Sequence, residues 1–571
     1  MEEMHRPWFD HYPLGVPTTL SYPEQQLGWL LRQAAERFPT RVAVRYYHEQ
    51  LTYSELLSRA ERLAAVFLRE GLKPGDRVGV LLPNLPESII SLFATWLAGG
   101  VVVSLSPLMV ADEVDALVKA TGCRFVVTLD VLSPLVCHGE HPPELVIMSS
   151  LAGRLSRLEQ MAYAWVRFQR IGFRSACAQT RVLRFDEAID SVGRTRDFDS
   201  GALHDPAFVL PTGGTTGHPK AVTLAHSNLI AQAWQLSHWS RGHHGEETIL
   251  AVLPFFHSYG LSTSVMMGVA MGATLVLHHR FRPASVVRLI ESHRPTIFLA
   301  VPAMLAALNH DVLGEGDHDL SSLRTVMSGG APLPAAVADE FRKHTAAHVV
   351  EGYGLSEAGP VTHVGPLDGT AISGTIGLPI PDTDARVVDP LSGNELGPNT
   401  VGELLVRGPQ VMLGYWENPE ATADVIRDGW LHTGDLACCD EQGFFKIVDR
   451  IKDLIITSGF NVYPADVEEV LRTYPGVKDV AVVGVPDEDR GEVVKAVLVL
   501  ESPKEFHRRP FDEFTRQKLA AHKRPRIIEV QEGDLPRNFL GKVLRRQLRA
   551  QEAITENIDD EVPPEESAAM N

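Results

Sequence analysis

Cysteine is scarce in this chain. The five residues Cys123, Cys137, Cys177, Cys438 and Cys439 are too few for a disulfide framework and show no metal-like spacing. Adjacent Cys438 and Cys439 read as packing residues, and a reducing cytoplasm is the expected compartment. Long apolar runs are missing too: no stretch approaches the roughly eighteen residues of a membrane span. The first residues, Met-Glu-Glu-Met-His-Arg-Pro, lack a basic region followed by an apolar one, so no signal peptide is expected. Positive charge is in deficit: 53 Lys and Arg against 72 Asp and Glu leave a net −19. That balance argues against a nucleic-acid binder, which needs clustered Lys and Arg.

What remains is the composition of a globular protein, 44% hydrophobic and 22% charged, too long at 571 residues for one core. Residues 26–72 read as two helices with a polar break at 46–50, Thr52 or Ser54 capping the second. Short apolar runs at 77–82, 101–105 and 124–129 alternate with helical patterns near 86–98 and 111–120. The rhythm returns at 248–253, 274–277, 296–301 and 325–328, which predicts doubly wound α/β layers. Between 375 and 415, Gly, Pro and Asp turns separate short alternating segments, a β-rich subdomain. After Lys452 comes a smaller α+β unit: helices at 464–473 and 511–522, strands at 477–485 and 493–500. The fold class is α/β, with a large N-terminal domain (1–449), a hinge (450–452) and a small mobile C-terminal domain (453–549). Residues 550–571 hold seven acidic residues and no Lys or Arg, and are expected to be disordered.

The most telling stretch is 211–220, Pro-Thr-Gly-Gly-Thr-Thr-Gly-His-Pro-Lys. Glycines 213, 214 and 217 let backbone N–H groups turn toward an anion. Thr212, Thr215 and Thr216 add neutral donors, and Lys220 a mobile positive charge. A triphosphate suits this chemistry. The P-loop of ATPases does not, because His218 stands where its second glycine would be.

Three further segments accompany the loop: Glu351-Gly-Tyr-Gly-Leu-Ser-Glu357; His432-Thr-Gly-Asp-Leu436 with Asp449-Arg450-Ile451-Lys452-Asp453; and Pro536-Arg-Asn-Phe-Leu-Gly-Lys-Val-Leu-Arg-Arg546. In this order and spacing they resemble the adenylate-forming superfamily of acyl-CoA synthetases, firefly-type luciferases and peptide-synthetase adenylation domains. The resemblance runs over nearly the whole chain. It implies ATP, Mg²⁺ and coenzyme A as reactants and cofactor. It places Thr212, Gly213, Gly214, Thr215, Thr216, Gly217 and Lys220 around the phosphates, with Thr216 and Glu357 toward Mg²⁺. Gly330, Ala331, Gly352, Tyr353, Gly354 and Ser356 would surround the adenylate, with Tyr353 stacking on adenine. Asp435 would accept from the ribose hydroxyls, and Arg450 would touch ribose or phosphate. Lys542 is the expected catalytic cation, able to reach the α-phosphate and the substrate carboxylate together. A hinge at Lys452 would withdraw Lys542 and bring in Ser458 and Gly459 for attack by a thiol.

The likeness is strongest to bacterial long-chain fatty-acid–CoA ligases. It rests on Thr-Gly-Gly-Thr-Thr-Gly in the loop, on Gly-Pro-Gln-Val-Met-Leu-Gly-Tyr-Trp at 408–416, and on Gly-Phe-Asn-Val-Tyr-Pro at 459–464. His257, amid aromatics in 253–261, is expected at the gate of an acyl pocket, or else is a buried hydrogen-bonded histidine. Val265, Met266, Met267, Val269 and Met271 line an alkyl tunnel or belong to plain core. Neither 353–355 nor 254–260 holds an acid to pair with an amino-acid ammonium. Two positions depart from the family: Ala221 stands where glycine is usual, and Ser106-Pro107-Leu108-Met109 where Asn-Pro and an aromatic are common. An acyl-AMP ligase serving a carrier protein and a non-catalytic lipid-binding relative stay open, as does a homodimer.

A last signal lies at 151–176. Leu151, Leu155, Leu158, Ala162, Trp165 and Phe168 recur at helical spacing. Arg154, Arg157, Arg167, Arg170 and Arg174 against Glu159 give a net +4 in an acidic chain. This is the pattern of an in-plane helix on anionic membrane, which would make the protein peripheral on the inner face, or of a surface helix packed on the large domain.

Overall fold

The computed structural model describes residues 5–137, 139–155, 157–171, 180–194, 201–212, 220–314, 316–458, 460–487, 490–502, 506–538 and 541–550. The chain divides into two units, Met1–Ile447 and Val448–Asn571. The division falls within the Phe445–Arg450 strand.

In the first unit the sequence alternates β and α, and the strands assemble accordingly. One sheet runs Gly414–Tyr415, Lys220–Ala225, Pro206–Thr212, Val101–Ser104, Arg77–Leu81, Phe125–Leu129, Leu145–Ser149, Arg181–Arg184. From Pro206–Thr212 onward its neighbours are parallel. Parallel strands need crossovers, and the expected helices supply them at Pro86–Leu97 and Ala111–Thr121. Every residue of Pro86–Leu97 is buried. Trp96 in that helix donates its indole N–H to Ala207 O at 2.9 Å, which satisfies the buried donor and fixes the start of the strand that enters the Gly/Thr loop.

A second sheet runs Leu378–Pro379, Val361–Val364, His348–Gly354, Thr325–Ser328, Ile297–Ala300, Thr248–Ala251, Thr274–Leu277, Val42–Tyr46, Glu49–Thr52. Its last two strands correct the expectation of two helices separated by a plain break. Residues 42–52 form an antiparallel hairpin, turning where Tyr47 takes the left-handed region at φ 52°. Thr52 then caps Tyr53–Arg69 in a capping box with Glu55. The β-rich subdomain is present as Asp384–Val388, Gly402–Arg407, Trp430–Cys439 and Ile426–Arg427, with Phe445–Arg450 beside Trp430–Cys439.

In the second unit, strands Val477–Asp487 and Gly491–Leu500 pair antiparallel, and the period of two assigns their faces. Val480, Val482, Val494, Ala496 and Leu498 form a core with Val467 and Leu471 of the Pro464–Leu471 helix and with Phe511 of Arg508–Lys518. Ala481, Val483, Val497 and Val499 face the other way, onto Leu535 and Leu548. Leu548 belongs to the Arg545–Ala550 helix, so that short element covers the second face.

Cys123, Cys438 and Cys439 are free, whereas Cys137 is disulfide-bonded, a bridge not expected of a chain read as belonging to a reducing compartment. No helix among the described residues is long and apolar enough to cross a membrane. The tail expected beyond Arg549 lies, from residue 551, outside the described residues.

Candidate active site

The Gly/Thr segment joins two antiparallel strands, Pro206–Thr212 and Lys220–Ala225, with Thr212 opposite Lys220. Gly213, Gly214, Thr215, Thr216 and Gly217 lie outside the described residues, as does the Thr212 side chain. The hairpin's second strand is edged by Gly414–Tyr415, through Gly414–Thr223 and Tyr415–Val222 pairing. Ala221 O accepts from Trp416 N–H at 2.7 Å, so the alanine that departs from the family's glycine sits in regular sheet.

This pairing delivers Tyr415 to the site. Lys220 Nζ lies 5.0 Å from the centre of its ring, a cation–π distance. Its hydroxyl donates to Glu357 Oε1 at 2.9 Å. Burial, reinforced by the charge and hydrogen bond of Glu357, pushes the Tyr415 hydroxyl well above its ordinary pKa, so it stays a donor. Glu357 itself stands on the Ser356–Ala358 turn, whose Glu357 O accepts from Met412 N–H at 2.8 Å. Lys220, Tyr415 and Glu357 thus form one contiguous set drawn from three distant segments. Tyr415 was not singled out in the sequence; the Gly-Tyr-Trp run at 414–416 carried its signal.

The 351–357 segment is shaped by backbone contact. A Cβ at Gly354 would sit 1.9 Å from Pro360 O, so no other residue fits there. Beside it, Tyr353 donates its hydroxyl to Asp435 Oδ2 at 2.6 Å. Tyr353 is half-buried and Asp435 buried. Glu403 orients Asp435 from the neighbouring strand. Its Oε1 accepts from Gly434 N–H at 3.2 Å, while Oε2 lies 2.9 Å from His432 Nδ1. Thr433 Oγ1 donates to Leu404 O at 2.7 Å and accepts from Asp435 N–H at 3.1 Å. Glu403 is a positioning residue that the sequence did not disclose.

Gly330 takes φ 83° in the turn after Thr325–Ser328, followed by Ala331. Glu351 braces that turn, accepting from Leu333 N–H at 3.3 Å. Burial raises its carboxyl to about 7, the Leu333 hydrogen bond offsetting only part of the shift. The folded value lies above the ordinary 4.5, so this group's contribution to stability is complete below pH 4.5 and is lost as pH rises through 7. Glu351→Gln should therefore melt at higher temperature than wild type at pH 8 by roughly 2–5 °C, with the difference vanishing near pH 4.5. Scanning calorimetry across that range checks it; a pH-independent difference would remove this role from Glu351.

His257 caps the Ser258–Gly260 turn, its Nδ1 accepting from Tyr259 N–H at 3.2 Å. Burial pushes its imidazole down to about 4, so at neutral pH it is uncharged, with the proton on Nε2. Ser258 Oγ is 3.2 Å from Ser356 Oγ, which ties this segment to the turn carrying Glu357. Val265, Met266, Met267, Val269 and Met271 are all buried. A Cβ on Gly268 among them would approach Leu275 to 2.6 Å, the packing of a closed core.

Arg450, Lys452, Ser458 and Lys542 belong to the second unit, and Gly459 lies outside the described residues. Ser458 is exposed and left-handed at φ 50°. Lys542 is half-buried on a loop closed by Leu544 N–H to Pro536 O at 2.8 Å. Asn538 grips its backbone twice. Asn538 N–H donates to Lys542 O and Asn538 Oδ1 accepts from Lys542 N–H, both at 2.9 Å. Past the lysine, Arg545 meets Glu468 at 2.7 Å, Asp453 at 3.7 Å and Asp449 at 4.0 Å. Arg549 meets Asp453 and Lys452 O, both at 3.3 Å. Within this unit the segment bearing Lys542 is thereby joined to the residues on either side of Lys452.

A protein-family model described as AMP-binding enzyme matches residues 31–416, and one described as AMP-binding enzyme C-terminal domain matches 466–542. The chain belongs to the AMP-binding enzyme family. It is 37% identical over 562 residues to a protein of Bacillus subtilis (strain 168) named long-chain-fatty-acid–CoA ligase, covering 97% of this chain and 99% of that one. It is also 37% identical over 534 residues to a feruloyl-CoA synthase of Amycolatopsis sp, covering 92% and 99%. Among solved structures, ATP-bound MatB from Rhodopseudomonas palustris superposes with a TM-score of 0.78 at 28% identity, over 92% of this chain and 98% of that one. Both large sheets and the small α+β unit therefore belong to the AMP-binding enzyme fold.

Among the described residues no group of three or more His, Cys, Asp or Glu is placed to hold a metal ion. Mg²⁺ keeps several waters and takes most of its remaining ligands from phosphates, so it would ask for few protein carboxylates, and Glu357 is one that could serve.

Proposed function

We propose that this AMP-binding enzyme is a fatty-acid–CoA ligase that activates medium- to long-chain acids in two steps. The observation that carries the reading is the union of Lys220, Tyr415 and Glu357 beside the Gly/Thr hairpin, in a chain aligned end to end with a long-chain ligase. In the first step a carboxylate oxygen attacks the α-phosphorus of ATP, and the bond to pyrophosphate breaks. Backbone N–H groups of 213–217 and the Lys220 ammonium hold the β- and γ-phosphates. Glu357 and Thr216 would hold Mg²⁺, which supplies charge neutralisation on the phosphates. Asp435 takes the ribose hydroxyls while Tyr353, fixed by its hydroxyl on Asp435, presents its ring to the adenine. Lys542 neutralises charge at the α-phosphate and aligns the acid.

In the second step the small domain turns about Lys452, withdrawing Lys542 and bringing up 458–461. The CoA thiolate attacks the acyl carbon, the acyl–phosphate bond breaks, and AMP leaves. Neutral His257 would gate the acyl chain, a role for an uncharged imidazole that leaves the pocket apolar. We place the enzyme in the cytoplasm, where the thiol pool would open the Cys137 bridge. There it meets anionic membrane through 151–176.

Purified protein given Mg-ATP, CoA and acids from acetate to oleate, with ferulate alongside, tests the reading by product mass. Acyl-CoA and AMP are expected, with turnover rising toward longer chains. Acyl-AMP without acyl-CoA would point instead to a carrier-protein acceptor. Preference for ferulate would replace the substrate class, and no product from any acid would leave a non-catalytic relative.

A further inference from the structure

An amphipathic helix on a soluble domain ordinarily turns its apolar stripe inward. The Arg157–Ile171 helix does the reverse. From Arg157 to Gln169 every side chain is exposed except that of Tyr163. Leu158 is 81% exposed, Met161 72% and Trp165 61%, with Phe168 also open to solvent. What holds the helix to the body is its polar side. The Tyr163 hydroxyl donates to Asp130, and Arg167 reaches Asp130 Oδ2 at 3.2 Å. At 3.6 residues per turn, Tyr163 and Arg167 lie about 160° round the helix from the stripe of Leu158, Met161, Trp165 and Phe168. Just before the helix, Arg154 is sunk between Glu49 at 2.8 Å and Glu87 at 2.7 Å. These polar struts fix an apolar face outward.

A second segment borders the helix. Tyr47, also exposed, is close enough to feel the charges of Glu159 on the helix and of Arg282. Its ring stacks on His279, and Arg280 and Arg282 next to that histidine are exposed. The patch therefore joins four large apolar side chains to the guanidinium groups of Arg157, Arg280 and Arg282, on a chain whose net charge is −19. A second copy of the chain would bring these arginines against their own kind. An anionic bilayer complements both parts of the patch, taking the apolar stripe into its interior and the arginines at its phosphates.

We propose that this helix is an interfacial anchor: Leu158, Met161, Trp165 and Phe168 enter the headgroup–acyl boundary of an anionic lipid surface while Arg157, Arg280 and Arg282 face the phosphates. The benefit to the enzyme rests on the fatty-acid reading, since the acid partitions into that layer. The anchor itself does not depend on it.

The test is sedimentation of the full chain with vesicles of phosphatidylglycerol and phosphatidylcholine. Three surface arginines correspond to about 100-fold tighter binding to anionic than to neutral vesicles. Changing the four exposed apolar residues to serine should cut binding at least tenfold. Melting temperature and turnover of detergent-dispersed acid should stay unchanged, because all four side chains are exposed and none belongs to the buried core. In wild type, brominated lipid should quench a component of the tryptophan emission that Trp165→Phe lacks. Equal binding by wild type and the serine variant would overturn the proposal. So would a wild-type dimer that the variant dissociates without any vesicle binding. Absence of acyl-CoA in detergent would strike the fatty-acid reading alone.

Discussion

Lys542→Ala should lower ATP–pyrophosphate exchange by about 10²–10³-fold while leaving the conversion of supplied acyl-AMP and CoA to acyl-CoA within a few-fold of wild type. The expectation follows from what each step requires. When the carboxylate attacks, negative charge gathers on the α-phosphate, and a preorganised cation is worth most there. In the second step that charge leaves with AMP, so an ammonium near the phosphorus has less to do. The loop is built to present one side chain from a fixed base, because Asn538 binds both the N–H and the carbonyl of Lys542. From that base a four-carbon stem carries a compact point charge. The split between half-reactions is the diagnostic. Equal loss in both would make Lys542 a structural lysine, and the adenylation chemistry would need another cation.

The alternation of strands and helices was legible because buried parallel strands read as short apolar runs between helical patterns; 101–105 and 274–277 are of this kind. The hairpin at 42–52 was not. Five apolar-leaning residues beside a long helix fit either period, and a left-handed Tyr47 leaves no mark in the sequence. In the site, Glu357, Asp435 and Lys220 stood out as polar residues among glycines, where a chain approaching phosphates or sugars is expected to place them. Tyr415, Glu403 and Glu351 act through residues brought near only by folding. Glu403 braces Gly434 from 31 positions away. The helix at 157–171 marks a different limit. Periodicity established that one face was apolar, but whether that face points in or out is decided by where Asp130 sits relative to Tyr163 and Arg167.

The same dependence on distant partners makes Arg545 the second position of large effect. Its guanidinium is mostly enclosed and faces three carboxylates, Glu468, Asp449 and Asp453. Glu468 also accepts from Val482 N–H at 2.9 Å, and Asp449 from Ala465 N–H at 3.0 Å, so neither carboxylate can swing out to water without breaking the fold around it. Burial already raises the Asp449 carboxyl, with Arg545 pulling it back down. Arg545→Met removes the cation and leaves the carboxylates. Breaking a buried pair in this way costs about 3–5 kcal/mol. The deficit should be largest at pH 8 and shrink toward pH 5, because without the cation the buried Asp449 carboxyl rises further above its ordinary value and its protonated form tolerates burial. The functional consequence follows from position. Arg545 is three residues beyond Lys542, and its partners flank Lys452. A loosened Arg545–Ala550 helix should therefore depress adenylation as Lys542→Ala does, but with a pH dependence that Lys542→Ala lacks. Arg545→Lys, which restores charge without the planar fork, should recover part of the stability. Urea unfolding of the small domain at pH 5 and pH 8, run beside pyrophosphate exchange, reads both effects. A variant destabilised equally at the two pH values would show that Arg545 is held by packing, and the coupling of the lysine loop to the residues around Lys452 would have to run through Arg549 and Asp453 instead.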